Sequence, residues 1–175
     1  MKSNIFLVGP MGAGKTTVGR RLAEIRGMDF VDSDHEIEAR TGVDIPYIFE
    51  KEGEAGFRRR EKQTIADLSL LPAIVLATGG GAILDAGTRQ LLATRGFVVY
   101  LHASLDQQVA RTARADNRPL LARSDDRRAT LETLFLQRDP LYREIADLVL
   151  ETDGRNARQL VREIEDHLDR PATRF

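Results

Sequence analysis

Gly9-Pro10-Met11-Gly12-Ala13-Gly14-Lys15-Thr16 is the stretch on which the reading of this chain turns. It fits G-x-x-x-x-G-K-[ST], a pattern that average residue usage would place in a chain of this length about once in a few hundred cases. Its context sharpens the match: an apolar run, Ile5 to Val8, precedes it and a helical pattern, Lys15 to Arg26, follows. Strand, glycine-rich loop and helix are the arrangement that phosphate binding requires. Glycines let successive backbone N–H groups curve around phosphate oxygens, and the helix N-terminus adds positive potential there. Gly12, Ala13, Gly14, Lys15, Thr16 and Thr17 are therefore the candidate nucleotide-binding residues. Lys15 would reach the β/γ-phosphates, and Thr16 would offer its hydroxyl to Mg²⁺. The plain alternative is a glycine-rich turn with no ligand.

On either side of this loop, short apolar runs alternate with helix-like segments. Strands are expected at Ile5 to Val8, Phe30 to Val31, Ile74 to Ala77, Phe97 to Leu101 and Leu148 to Leu150. Their fully apolar character suits parallel strands covered on both faces, and the alternation predicts an α/β domain of βαβ units. Helical periodicity marks Lys15 to Arg26, about Ala55 to Leu70, Asp85 to Arg95, Ser104 to Arg114 and Asn156 to Leu168. Asp85 reads as an N-cap and Gly96 as a C′ stop. Residues of about 33–70 are too many for a simple crossover and suggest a substrate-binding helical insertion. Arg114 to Arg128 reads as a loop, either a functional lid or a solvated surface segment.

Composition narrows the classes further. At 175 residues, with 42% hydrophobic and 30% charged, the chain suits one globular domain and neither a disordered tail nor a fibrous repeat. Its 26 Lys and Arg nearly balance its 27 Asp and Glu, so no global field draws it to nucleic acid or membrane. Only four cations are lysines, a bias that genome base composition alone can produce. The absence of cysteine excludes disulfides, thiolate catalysis and zinc thiolate sites, and the histidines at 35, 102 and 167 form no local ligand motif. No apolar run is long enough to span a bilayer, and the simplest expectation is a cytoplasmic monomer. A GTPase would need N-K-x-D and D-x-x-G, which do not occur, and large motor ATPases need a longer chain. A small phosphotransferase or a nucleotide-binding regulator remains.

Further residues supply the acceptor side. Asp32-Ser33-Asp34 follows the second strand and should emerge beside the phosphate loop, where open α/β folds bind ligands. If strand geometry persists, both carboxylates point the same way; one can hold Mg²⁺ while the other accepts the proton of an attacking hydroxyl. Asp34 could instead merely N-cap the helix beginning near His35. In Phe57-Arg58-Arg59-Arg60-Glu61, Arg58 and Glu61 share a helix face and Arg59 does not, although such a charge run is usually solvated. Thr78-Gly79-Gly80-Gly81 follows the third strand and makes either a bend or a bare-backbone approach for a ligand. It lacks the Asp that often anchors a second metal contact there, which leaves Asp32 the better metal candidate. Arginines concentrate from Arg111 to Arg143, and Arg118 on a lid could close over a transferring phosphoryl group.

The phosphate loop, Asp32-x-Asp34, Phe57-Arg58-x-x-Glu61, Thr78-Gly79-Gly80-Gly81, Arg118-Pro119-Leu120-Leu121 and Arg138-Asp139-Pro140-Leu141-Tyr142 with Glu144 closely resemble the shikimate kinase family, over nearly the whole chain. The resemblance implies a three-layer P-loop kinase fold over 1–175, with a five-stranded parallel sheet flanked by helices, a helical substrate-binding insertion at about 33–70 and a lid at about 114–128. It implies transfer of a phosphoryl group from ATP to the 3-hydroxyl of shikimate, a step in chorismate and aromatic amino acid biosynthesis. Asp34 would orient the reacting hydroxyl and act as base, alongside Lys15 and Arg118 on the phosphates. Arg58 and Arg138 would clamp the shikimate carboxylate, with Gly80 and Gly81 beside it and Glu61 holding Arg58. Thr16 and Asp32 would hold Mg²⁺, Arg111 would lie against the adenine, and Glu151 to Asn156, including Arg155, resembles the adenine-side loop. A gluconate or nucleoside monophosphate kinase of the same fold is the nearest rival, and a non-catalytic nucleotide-binding regulator the rival of another class.

Overall fold

The computed structural model describes residues 4–113 and 126–170. Five parallel strands form one sheet: β1 (Asn4–Val8), β2 (Asp29–Asp32), β3 (Ile74–Ala77), β4 (Gly96–His102) and β5 (Leu148–Glu151), in the order β2-β3-β1-β4-β5. Around them lie α1 (Lys15–Arg26), α2 (Ser33–Thr41), α3 (Ile45–Leu68), α4 (Ala86–Arg95), α5 (Leu105–Thr112), α6 (Arg127–Ile145) and α7 (Ala157–Leu168), with a 3₁₀ turn at Ala82–Leu84. The α/β class and the parallel sheet agree with the alternating pattern of the sequence.

Strand alternation divides the core into two layers. Ile5 and Leu7 of the central strand face Val18 and Leu22 of α1 and Leu160, Val161 and Ile164 of α7. Phe6 and Val8 face the opposite way, toward Ile65 of α3, Leu92 of α4 and Tyr142 and Ile145 of α6. All four β1 residues are almost fully buried, which explains an unbroken apolar run where one wet face would have required alternation. A third, smaller cluster of Ile37, Ile48, Phe49 and Phe57 gives α2 and α3 their own apolar contact.

Three features depart from the sequence reading. Gly96 is not a C′ stop in the left-handed region; its φ of −156° is extended, and it opens β4. Its smallness serves packing instead, because a Cβ there would lie 2.5 Å from the Phe6 ring. Residues Arg127–Ile145 form a continuous helix despite Pro140, where the sequence offered only an arginine-rich stretch. The insertion helix starts at Ile45, ten residues before the expected Ala55, and is broken at Gly53, whose φ of 71° is open to glycine and strained for other residues.

Gly96→Ala is expected to destabilise the fold by about 1–3 kcal/mol, the usual range for overpacking a tight core. Urea titration should show a lower midpoint at an unchanged slope. An unaltered midpoint would mean that the Phe6 ring yields without loss.

Candidate active site

The strand order places the ends of β2, β3 and β1 side by side, so the segments that follow them converge at one edge of the sheet. After β1 comes the glycine loop, with Gly14 in the left-handed region (φ 89°, ψ 23°) as the N-cap of α1. A side chain there would be strained; without one, the loop turns its amides inward and launches the helix. Lys15 Nζ lies over the loop and donates to the carbonyls of Gly9 (2.6 Å) and Pro10 (2.9 Å). Met11, Gly12, Gly14, Lys15, Thr16, Thr17 and Arg111 share one cleft with Asp32, Asp34 and Gly79. Ala13 is buried beneath it. Arg111, from α5, donates to Gly12 O at 3.1 Å and so covers the loop from outside.

Asp32 ends β2 and divides its carboxylate between two tasks. Oδ1 accepts from the backbone N–H groups of Asp34 (2.9 Å) and His35 (3.2 Å), which makes Asp32 the N-cap of α2. Oδ2 accepts from the Thr16 hydroxyl at 3.2 Å. The cap that the sequence left open for Asp34 therefore belongs to Asp32. Strand geometry also stops at Asp32: α2 begins at Ser33, so the two aspartates are related by a helical turn and not by strand alternation. Ser33 is fully buried and accepts from the Gly79 N–H at 3.1 Å, binding the start of α2 to the glycine run after β3.

Around that run four charged side chains meet. Arg58 donates to Glu61 Oε1 at 2.8 Å, and Glu61 is only 3% exposed. A Cβ on Gly79 would lie 2.9 Å from Asp34 Oδ1 and 3.0 Å from Glu61 Oε2, and one on Gly81 would lie 2.4 Å from Arg58 Nη2. At Gly79 and Gly81 these side chains thus approach the bare backbone closely. Arg138, carried by α6, is 5% exposed, and its Nη1 would lie 3.4 Å from a Cβ on Gly80. Burial pushes the Glu61 carboxyl up to about 7, opposed by Arg58 and reinforced by the negative field of Asp34. Burial also lowers Arg138 below the usual guanidinium range. Arg59 and Arg60 are exposed, as expected for the outer face, and Arg60 pairs with Glu52 at 2.8 Å.

Asp34, Arg58, Glu61, Gly80, Gly81 and Arg138 line a cleft of about 230 Å³ whose far wall is the Phe49 and Phe57 pair, ring centroids 4.9 Å apart. That volume is below the roughly 300–1,000 Å³ of pockets for drug-sized ligands and suits a small acceptor. Thr16 and Asp32 line its phosphate-side end, so the two clefts are continuous. Glu144 faces away, paired with Arg89 at 2.8 Å. Arg155 follows β5 and is held by Glu163 and the Glu151 carbonyl, apart from the residues lining the phosphate cleft. Arg118 and most of the expected lid lie outside the described residues. Ser33, Tyr142 and the apolar wall from Ile45 and Pro46 are site residues that sequence reasoning did not single out; Tyr142 was within reach, four residues after Arg138 on one helix.

A family model described as shikimate kinase matches residues 11–169. The chain belongs to the shikimate kinase family. It is 56% identical to the shikimate kinase of Methylococcus capsulatus over 99% of this chain and 97% of that one. The enzyme of Pseudomonas entomophila is 59% identical, over 94% and 95% respectively. The structure of shikimate kinase from Acinetobacter baumannii in complex with shikimate superposes with a TM-score of 0.92 at 54% identity, covering 95% of this chain and 92% of that one. Family membership makes the chain an ATP-dependent phosphotransferase with an alcohol acceptor.

Because the folded pKa of Glu61 lies above its ordinary value of 4.5, the folded state holds the proton more tightly than the unfolded state between pH 4.5 and 7. Its contribution to stability is therefore fully present below pH 4.5 and declines as pH rises through about 7. Urea unfolding of the native protein and of Glu61→Gln at pH 5 and pH 8 should show the native protein losing ground to the variant at the higher pH. A pH-independent difference would place the Glu61 carboxyl back in the ordinary range.

Proposed function

We infer that the chain transfers the γ-phosphoryl group of ATP to the 3-hydroxyl of shikimate, releasing ADP and shikimate 3-phosphate. The observation that carries this reading is the small cleft in which two guanidiniums, Arg58 and Arg138, and the Asp34 carboxylate face a single volume beside the phosphate loop. Shikimate is a small anion bearing one carboxylate and several hydroxyls. Arginines grip the first bidentately, and an aspartate accepts from the second.

The chemistry assigned to each residue follows from its placement. Arg58 is fixed by Glu61 before any ligand arrives, so little orientational freedom is lost when it meets a carboxylate. Arg138 approaches from the opposite side on α6, and the run Gly79 to Gly81 keeps the floor between them free of side chains. Asp34, at the junction of the two clefts, orients the acceptor hydroxyl and takes its proton as the oxygen attacks phosphorus. Lys15 and the loop amides stabilise the charge that builds on the phosphoryl oxygens, and Arg118 is assigned to the same task from the lid. Gly12, Ala13, Gly14, Thr16 and Thr17 cradle the phosphates, with Arg111 and Arg155 on the adenine side.

A divalent cation fits the donor set. Thr16 Oγ1 and Asp32 Oδ2 already lie 3.2 Å apart, and among the described residues no group of three or more acidic, His or Cys side chains surrounds them. Few protein ligands, with phosphate and water completing the shell, are the preference of Mg²⁺. Thr16 and Asp32 would hold it, and it would neutralise charge on the β- and γ-phosphate oxygens.

Purified protein with Mg²⁺ATP, offered shikimate, gluconate and nucleoside monophosphates in parallel, should release ADP with shikimate alone. Turnover with another acceptor would overturn the carboxylate clamp. Silence with every acceptor, despite ATP binding, would favour a nucleotide-binding regulator. In Asp34→Asn the amide cannot take the hydroxyl proton, and kcat is expected to fall by about 10²–10⁴-fold with the fold intact by circular dichroism. A kcat like that of the native protein would remove Asp34 from the role of base.

A further inference from the structure

We propose that Tyr142 is a positioning residue for the acceptor: its buried hydroxyl, donating to the Gly80 carbonyl beside Arg138, sets the distance between the acceptor guanidinium and the glycine run. This rests on the acceptor-site reading above and adds a residue to it. Tyr142 is 1% exposed, with its ring in the core layer between β4 and α6. Its oxygen reaches the glycine run, where it donates to Gly80 O close to the Arg138 guanidinium. Burial pushes its ionisation upward, so the phenol keeps its proton and remains a donor across the working pH range.

Three groups converge at Gly80. A Cβ placed there would lie 3.4 Å from Arg138 Nη1, 3.6 Å from Tyr142 Oη and 3.6 Å from Gly9 O, at the start of the phosphate loop. The phenol thus holds the Gly80 backbone, which lines both clefts, beside the acceptor arginine. Its own ring has little freedom. It packs on Tyr100 with centroids 4.8 Å apart, and Tyr100 donates to Asp139 Oδ1 at 2.6 Å. Arg138, Asp139 and Tyr142 belong to one helix, so the guanidinium and the phenol are carried by the same backbone.

The test is Tyr142→Phe, which deletes one oxygen and keeps the packed ring. The acceptor KM for shikimate should rise about tenfold, the factor that one net hydrogen bond corresponds to, with kcat and the KM for ATP within about twofold of native. Tyr100→Phe is the control: it breaks the Asp139 bond in the same aromatic pair and should lower the melting temperature while leaving the acceptor KM unchanged. An unchanged acceptor KM in Tyr142→Phe, a parallel rise in both KM values, or an equal acceptor defect in Tyr100→Phe would each overturn the proposal. If the native protein turns over a different acceptor, the function reading fails separately, and the same ratios taken with that acceptor still decide the role of Tyr142. The chain has three tyrosines and no tryptophan, so Tyr47→Phe/Tyr100→Phe leaves Tyr142 as the sole ultraviolet reporter. Its absorption should shift on addition of shikimate even if Tyr142→Phe does not fold, and a spectrum that stays unchanged would overturn the proposal.

Discussion

Arg58 and Glu61, bonded at 2.8 Å with Glu61 almost out of reach of water, impose the constraint around which the acceptor half of this molecule is arranged. A buried carboxylate with no partner would cost several kcal/mol, and a single guanidinium at its edge offsets only part of that. The remainder is met by geometry. Glu61 stands on α3 within reach of a glycine run where a Cβ on Gly79 would meet it at 3.0 Å, and Arg138 arrives from α6 to add a second positive field. Two carboxylates and two guanidiniums therefore assemble from three separate parts of the chain, α2, α3 and α6, and only their correct packing around the glycine run after β3 brings them together. A site made in this way is rigid before its ligand arrives, which favours orientation over adaptation.

Rigidity here comes from the sheet. β1 is central and buried on both faces, so the loop that follows it starts from a strand paired on both edges and packed on both faces. The neighbouring strand β3 supplies the glycine run, and Thr78 continues the ladder by donating to Leu7 O at 3.1 Å before the chain turns away. The floor between the phosphate cleft and the acceptor cleft is thus an extension of sheet hydrogen bonding. The insertion is held differently: the C-terminal end of α3 packs into the main core through Ile65 and Leu68, while its outer part has its own small apolar cluster and the Ser33 to Gly79 bond.

The order of strands and helices is legible in the sequence because each buried parallel strand is an unbroken apolar run, and no other environment suits Phe6-Leu7-Val8 or Ile74-Val75-Leu76. Helix α6 is not, because Pro140 and a succession of arginines hide its apolar face, and the residues that mark that face, Leu131, Tyr142 and Ile145, are widely spaced. Gly96 illustrates a different limit. Glycine serves both positive φ and bare space, and sequence alone does not say which; the Phe6 ring decides it. The pairing of Arg58 with Glu61 follows from i, i+3 spacing alone. The depth at which they are buried does not, since Arg58-Arg59-Arg60 looks like any solvated charge run until the glycine run packs against it. Tyr142 lies four residues after Arg138, a spacing that means a shared face only once the segment is known to be a helix.

Asp32 shows how local folding and chemistry are joined in one side chain. Its Oδ1 caps α2, and in doing so it binds the N–H of Asp34 and fixes where that residue leaves the backbone. Its Oδ2, directed at Thr16, faces the phosphate loop. A helix cap contributes roughly 0.5–2 kcal/mol and would be supplied as well by Ser or Asn. What those residues lack is a second anionic oxygen to leave over for a cation. The second oxygen of this aspartate is turned to the phosphate loop while the first sets the position of Asp34, so one carboxylate holds the loop and the start of α2 in a fixed relation.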